Sequence, residues 1–276
     1  MNRKEQPLLN VSDHFYPVAD VNDGKKRDQW WWLLLGVVAL IAFLSITQPD
    51  PYWRIILFIK DGIGVTIIST VTSFVLMLMI GLLVALSRLS KFRLIRFPAT
   101  LFVEIVRGIP LLVQLIFWYF AFPSVLQNAG KALNIDALAN YHAQPLMMAI
   151  IGLTFCYAAY MSEIYRAGIQ SISIGQMEAA NSLGMNRSQA MRHIILPQAI
   201  RVILPPIGNE FISLLKDSSL ISVVAVADMT RRGREFMSAN FIPVQTWSLI
   251  ALIYLVMTLF SARVVAAIEA KSRSGR

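Results

Sequence analysis

The chain has 276 residues, of which 56% are hydrophobic and 15% charged, and its formal net charge is +9. Charged residues normally cover a soluble domain, so this ratio excludes an ordinary soluble protein and predicts one membrane-embedded helical unit. The positive balance then belongs to loops on the inner side of a membrane, not to a nucleic-acid surface. The single cysteine, Cys156, allows no intrachain disulfide and no cysteine-rich metal site. His14, His142 and His193 stand far apart, so no metal centre is expected.

Residues 1–29 are polar and of mixed charge, with Pro7 and Pro17, and read as a poorly ordered cytoplasmic tail ending in Lys25-Lys26-Arg27. The run from Trp30 to Thr47 follows. At about 1.5 Å per residue it nearly crosses a hydrocarbon core of about 30 Å. Trp30, Trp31 and Trp32 suit an interfacial belt. Thr47-Gln48-Pro49-Asp50 lacks the small residues of a signal-peptide cleavage site. Further apolar segments cover 62–86, 98–122, 145–165, 203–226 and 246–268. They predict an all-α, polytopic membrane protein of about six transmembrane helices, with both termini on one side.

Charge selects the side. With cytoplasmic termini, Arg88, Lys91, Arg93, Arg96, Arg166, Arg187, Arg192 and Arg201 join the basic tails inside. Arg54, Lys60 and Lys131 fall outside, as do Arg231, Arg232 and Arg234, which fit an outer loop poorly. The long inner loop, 166–202, reads as two short helices across the cytoplasmic face. Met177 to Leu183 form the first, which stops at Gly184. Asn186-Arg187-Ser188 open the second, and Pro197 predicts a break before the next span. A phosphate loop, H-E-x-x-H, G-x-S-x-G and a cysteine pair are all missing from the sequence, so no enzyme active site is expected. Any nucleotide hydrolysis belongs to a partner.

Residues 178–197 read EAANSLGMNRSQAMRHIILP. This segment resembles the EAA loop of ABC importer permeases at Glu178, Ala179, Ala180, Gly184, Ile194, Leu196 and Pro197. Three further stretches are similar to the polar amino acid permeases of the histidine/glutamine type. They are Glu104 to Gln114, Ala159 to Ile169, and Pro205 to Asn209 with Leu215 to Leu220. The resemblance runs from about 60 to 270. Ile109 and Ser218 depart from it where threonine is common, and Asp228 where glutamate is common.

The resemblance implies a five-helix type I ABC importer transmembrane domain over 58–270. An extra transmembrane helix and connection at 30–57 and a cytoplasmic tail at 271–276 flank it. It implies a loop that couples to an ATPase through those seven residues together with Arg187 and Arg192. In that loop the small side chains at 179 and 180 let the helix approach its partner closely. Glu178 pairs with a partner's basic residue or caps its own loop, and Gly184 permits the turn. Implied partners are an ABC ATPase dimer, a second permease subunit (the same chain or a close paralogue) and an extracytoplasmic substrate-binding protein. Membrane lipid and an amino acid substrate complete the set, with no nucleic acid. No cofactor is expected on this chain, because ATP and Mg would sit on the ATPase. The location implied is the bacterial cytoplasmic (inner) membrane.

Ionisable groups within spans are costly unless paired or hydrated, so each is a candidate site. Glu104 and Arg107 are three apart on one helix face and can pair; Glu163 and Arg166 repeat the spacing. Both pairs read either as structural ties or as substrate contacts. Gln114 is uncharged and can bond a neighbouring helix. In the fifth span Pro205, Pro206 and Gly208 weaken the start, and Lys216-Asp217-Ser218-Ser219 interrupts the middle. Such irregularity is tolerated where backbone faces protein or a water-filled cavity, so this span is expected to line the route. Lys216 and Asp217 offer the two charges that an amino acid zwitterion needs, with Asn209 and Glu210 behind them. A local salt bridge at a helix end is the other reading. An ion-coupled secondary amino acid transporter is the alternative function, and a membrane-embedded enzyme a third.

Overall fold

The computed structural model describes residues 30–274, and among them every regular element is helical. The order is α1 (Trp30–Thr47), α2 (Pro49–Arg88), α3 (Arg93–Gly108), α4 (Leu111–Ile116), α5 (Phe122–Leu133), α6 (Asp136–Ala139), α7 (Pro145–Gln170), α8 (Ile174–Ser182), α9 (Arg187–Ala190), α10 (Leu196–Asp217), α11 (Met229–Asn240) and α12 (Pro243–Ser274). The polar tail 1–29, with its Lys25-Lys26-Arg27 cluster, lies outside the described residues. So do 275 and 276 of the predicted C-terminal tail, whose earlier residues continue α12 as helix to Ser274.

Among the described residues, five stretches are long and apolar enough to cross a membrane: Trp30–Thr47, Pro49–Arg88, Leu111–Leu133, Pro145–Gln170 and Pro243–Lys271. α10 supplies the remaining predicted crossing. It has 22 residues, about 33 Å, but carries Arg201, Glu210, Lys216 and Asp217 and so fails on apolarity. α2 has 40 residues, about 60 Å, and outreaches the predicted 62–86 span at both ends. The boundary drawn between 57 and 58 falls inside it. The predicted 98–122 helix is two pieces. Pro110 offers no N–H and drives Ile109 out of helical geometry (φ −106°, ψ 131°), so α3 stops at Gly108 and the crossing runs from Leu111.

Pro197 does not break the chain as expected. A π-turn, Met191–Ile195, joins α9 to α10, and the Leu196 N–H reaches back five residues to the Met191 carbonyl. Another π-turn, Phe117–Ala121, joins α4 to α5 just before Pro123, with the Phe122 N–H bonded to the Phe117 carbonyl. Each widened turn makes room for a proline ring and shifts the ladder past the missing donor.

The core is the seam between α2 and α7. Small and hydroxyl residues of α2, from Ser69, Thr70 and Ser73 to Gly81 and Ala85, are buried along one face. Ser69 and Thr70 return their hydroxyls to the Thr66 carbonyl, and Ser73 Oγ donates to the Ile150 carbonyl of α7 at 3.4 Å. A Cβ at Gly81 would sit 2.7 Å from Met161 Cβ, so only glycine permits this approach. Met77, Leu115, Leu153, Met161, Leu214 and Ile221 fill the space around the seam. A second cluster, with Ile55, Ile59, Met229, Phe236, Leu249 and Ile250, joins α2, α11 and α12.

The basic group Arg231 to Arg234 has its explanation in α11. Asp228 caps this helix by accepting from the Thr230 and Arg231 N–H groups. Arg232 pairs with Asp61 of α2 and with Glu235, Arg231 pairs with Glu235 at 3.0 Å, and Arg234 donates to Ser222 Oγ. Arg231 foremost, then Arg232, holds the Glu235 carboxyl below its ordinary range.

Gly81→Val should cost about 1–3 kcal/mol by overpacking the α2–α7 seam. Gly64→Val, where nothing lies within 4 Å of the added Cβ, is the control. Thermal unfolding of the purified variants in detergent compares them, with a lowered midpoint expected for Gly81→Val alone.

Candidate functional site

The first candidate region is the loop at 173–197. Ser173 starts α8 by accepting from the Gly175 N–H at 3.3 Å. The helix closes with two reaching bonds, Met185 N–H to the Ala180 carbonyl at 3.1 Å and Gly184 N–H to the Asn181 carbonyl at 2.9 Å. This ending needs a left-handed residue, and Gly184 has φ +78°. Asn186 then opens α9 with a reciprocal cap, its side chain accepting from Gln189 N–H while its own N–H donates to Gln189 Oε1. Gln198 Nε2 donates to Gln176 Oε1 at 3.3 Å and ties the two arms together.

The seven motif positions divide by exposure. Ala180 is buried, so of the two alanines Ala179 is the one left to meet an outside surface. Glu178 is exposed, and its carboxylate has no partner among the described residues, so it does not cap the loop. Arg187, Arg192, Leu196 and Pro197 are exposed and Ile194 is half-buried. Leu183, at the tip beside Gly184, is 81% exposed.

From Arg187 to Asp217 the chain is helical without interruption, through α9, the π-turn and α10. At about 1.5 Å per residue this run extends about 45 Å from the loop into the bundle. At its far end lies a cavity of about 420 Å³, lined by Arg107, Gly108, Ile109, Pro110, Leu111, Cys156, Tyr157, Tyr160, Glu210 and Asp217. Its wall is the break between α3 and α4 on one side, α7 on another, and the end of α10 on the third.

The charges in this cavity are not paired with one another. The Arg107 guanidinium lies 5.3 Å from the centre of the Tyr160 ring. Tyr157 donates its hydroxyl to Asp217 Oδ2 at 2.7 Å. Glu210 makes no side-chain hydrogen bond or salt bridge among the described residues and interacts with Arg107 and Asp217 through space. One guanidinium and two carboxylates thus line a common space, with Tyr157 and Tyr160 beside them on one face of α7. Gln114 sits behind the break, 8% exposed, and its Nε2 donates to the Val106 carbonyl at 2.8 Å and the Ile109 carbonyl at 2.9 Å. The same nitrogen lies 3.6 Å from Cys156 Sγ.

Several expected relations differ. Glu104 and Arg107 form no ion pair; Glu104 is exposed and Arg107 turns to Tyr160. Lys216 is exposed and off the cavity wall, while its neighbour Asp217 is on it. Successive residues on a helix point about 100° apart, so the two cannot face one site together. Asn209 is also exposed, and Glu210, seven residues before Asp217, takes the same face as Asp217. That i, i+7 relation was the available signal for Glu210, as i, i+3 was for Tyr157 and Tyr160. Glu163 does pair with Arg166, as the spacing suggests, and also with Arg88 of α2 at 2.6 Å. Its place is a tie between the ends of α2 and α7, outside the cavity lining.

Known proteins bear on this geometry. Residues 77–274 match the family described as the binding-protein-dependent transport system inner membrane component. Over 199 residues the chain is 38% identical to the "Probable glutamine ABC transporter permease protein" of Bacillus subtilis (strain 168), covering 72% of this chain and 86% of that one. It is 34% identical over 221 residues to the glutamine transport system permease protein of Escherichia coli (strain K12), covering 80% and 95%. A crystal structure of an amino acid ABC transporter with histidines aligns with a TM-score of 0.69 at 34% identity, over 83% of this chain and 98% of that one.

Arg88 is only 9% exposed, so removing its carboxylate leaves a nearly buried charge unpaired. Glu163→Gln should destabilise the protein by about 1–3 kcal/mol, the low end reflecting a partly exposed carboxylate. Unfolding of that variant beside Glu104→Gln, whose carboxylate pairs with nothing described, separates the two acids.

Proposed function

The chain belongs to the family of inner membrane components of binding-protein-dependent transport systems, and from that membership we propose how it carries its cargo. It is the membrane-spanning permease subunit of an amino acid ABC importer, in line with its relatives and its structural neighbour. In our reading, the cavity at the end of α10 holds the amino acid on its way through. Arg107 receives the α-carboxylate, and Glu210 and Asp217 receive the α-ammonium. The observation that carries this is the set of opposite charges left unpaired by the protein around one open space. Glu210 and Asp217 are half-buried and Arg107 opens onto the same space; ionisable groups at membrane depth are costly unless paired or hydrated, so their retention calls for a charged cargo.

The loop at 173–197 is the surface for the ATPase. Exposed Ala179 and Leu183 offer small and apolar contacts, and the unpartnered Glu178 offers a charge for a basic residue. The caps at Ser173, Gly184 and Asn186 make the loop rigid enough to be pushed as a unit. The unbroken 187–217 run then delivers that push to Asp217 and Glu210. ATP and Mg belong to the partner ATPase dimer. A second permease subunit and an extracytoplasmic binding protein complete the importer, in a bacterial inner membrane. Cytoplasmic termini put Arg88, Arg93, Arg96, Arg187 and Arg192 on the inner side, in line with the usual bias of basic residues. Lipid covers the apolar outer faces of α1, α2 and α12. An ion-coupled carrier, the alternative that in-span charges admit, has no use for the loop or for membership of this family.

Two experiments follow, both on the complete importer in proteoliposomes. Arg107→Ala and Asp217→Asn should each lower ATP-driven uptake of labelled amino acid at least tenfold, while Lys216→Ala stays within twofold. Equal effects of all three would sink the cavity as the binding place. Glu178→Arg should strip the ATPase from the purified complex on size exclusion, or leave ATP hydrolysis unresponsive to substrate. Normal assembly with normal coupling would remove the loop from its role.

A further inference from the structure

We propose that Gln114 is a positioning residue for the substrate: it replaces the backbone donor that Pro110 lacks and so sets the shape of the cavity wall that carries Arg107. The inference rests on the cavity being the amino acid's binding place, and goes beyond it by assigning a residue that never touches the cargo.

In an unbroken helix the N–H of residue 110 would bond the Val106 carbonyl. Proline has no such donor. The Ile109 N–H reaches that carbonyl only at 3.4 Å. The Gln114 amide fills the gap, donating to the Val106 carbonyl at 2.8 Å and, with its second proton, to the Ile109 carbonyl at 2.9 Å. One side chain from α4 therefore satisfies an acceptor in the last turn of α3 and one within the break. The Gln114 N–H itself bonds the Pro110 carbonyl, which fixes the amide over the break from the first turn beyond it. Contact with Cys156 Sγ sets the distance to α7.

The segment so held is the cavity wall: Gly108, Ile109, Pro110 and Leu111 all line it, and Arg107 precedes them by one residue. Without the amide, the Ile109 carbonyl would seek another donor and the Val106 carbonyl would keep only its long bond from the Ile109 N–H. The guanidinium of Arg107 and the ammonium of an arriving amino acid are the cations at hand. Either would spoil the division of labour in which Arg107 meets the carboxylate and the acids meet the ammonium. Gln114 thus protects the selectivity of the site by keeping backbone acceptors out of it.

The test uses the complete importer in proteoliposomes with 14C-labelled glutamine, arginine and histidine, taking forward whichever the wild type moves fastest. Gln114→Glu keeps the size of the side chain and removes both donated protons. The expected result is an apparent KM raised at least tenfold, with kcat per assembled complex within threefold of wild type. A merely structural role lowers the amount of assembled complex and leaves KM unchanged, and that result would overturn the proposal. Gln114→Leu covers the case in which the glutamate variant fails to assemble, with the same split expected. A double-mutant cycle with Arg107→Lys supplies a second readout. If Gln114 acts through the Arg107 wall, the two effects on KM fall short of multiplying, whereas full multiplication within twofold would overturn the proposal. Should Arg107→Lys alone leave KM unchanged, the cavity reading itself fails and takes this inference with it. A raised KM for Arg107→Lys with an unchanged one for Gln114→Glu defeats only the role of Gln114.

Discussion

Away from water, each backbone amide and carbonyl has to find a partner inside the protein. The long helices of this chain meet that condition along most of their length, and its interruptions are where the structure becomes specific. At Pro123 and Pro197 the ladder is rerouted through π-turns, so the helix continues. At Pro110 it is not rerouted, and a side chain from the next turn supplies the donor. At Asp217 the helix tightens into the 3-10 segment Ser218–Val224 and ends at Ala225 in left-handed geometry. Two of these interruptions, at 110 and 217, face each other across the cavity. Each brings a charged residue, Arg107 at one and Asp217 at the other, to the cavity lining.

The α2–α7 seam gives those interruptions a fixed frame. Glycine and hydroxyl residues of α2 bring the two backbones close, and the hydroxyls are spent on carbonyls of α2 and α7. Close approach multiplies weak dispersion contacts, which is the main attraction open to helices in an apolar solvent. The Arg88–Glu163–Arg166 group closes the seam at one end, and Asp61 with Arg232 steadies α2 toward the other. Within this frame α7 presents Cys156, Tyr157 and Tyr160 to the cavity from a rigid base.

Much of the loop was legible in the sequence, because its structure is local. Gly184 has to be left-handed, and Asn186 with Gln189 makes a cap from residues three apart, so spacing alone carries the shape. The helical spans were legible from apolar length, apart from the division at Pro110. The cavity was less so. Arg107 and Asp217 were singled out by charge, but their companions were drawn from immediate neighbours, Glu104 and Lys216. The 100° step between successive residues turns Lys216 away from Asp217, Arg107 leaves its helix neighbour Glu104 for Tyr160 of α7, and Glu210, a secondary candidate in the sequence, shares the wall with Asp217 and with Tyr157. α10 stood out among the predicted spans by its charges, and two of them, Glu210 and Asp217, are the ones that line the cavity.

The unbroken helical run from the loop to the cavity also fixes how this stretch of chain can change its length. One residue inserted between Pro197 and Glu210 would turn Glu210 and Asp217 by about 100° and advance them about 1.5 Å, swinging both acids off the wall. Seven inserted residues would restore the facing but carry the acids about 10 Å too far. The interval between the two ends is therefore a matter of phase as much as distance, like the key angle on a shaft. Side chains along it are free to vary wherever they meet lipid, while their number is not.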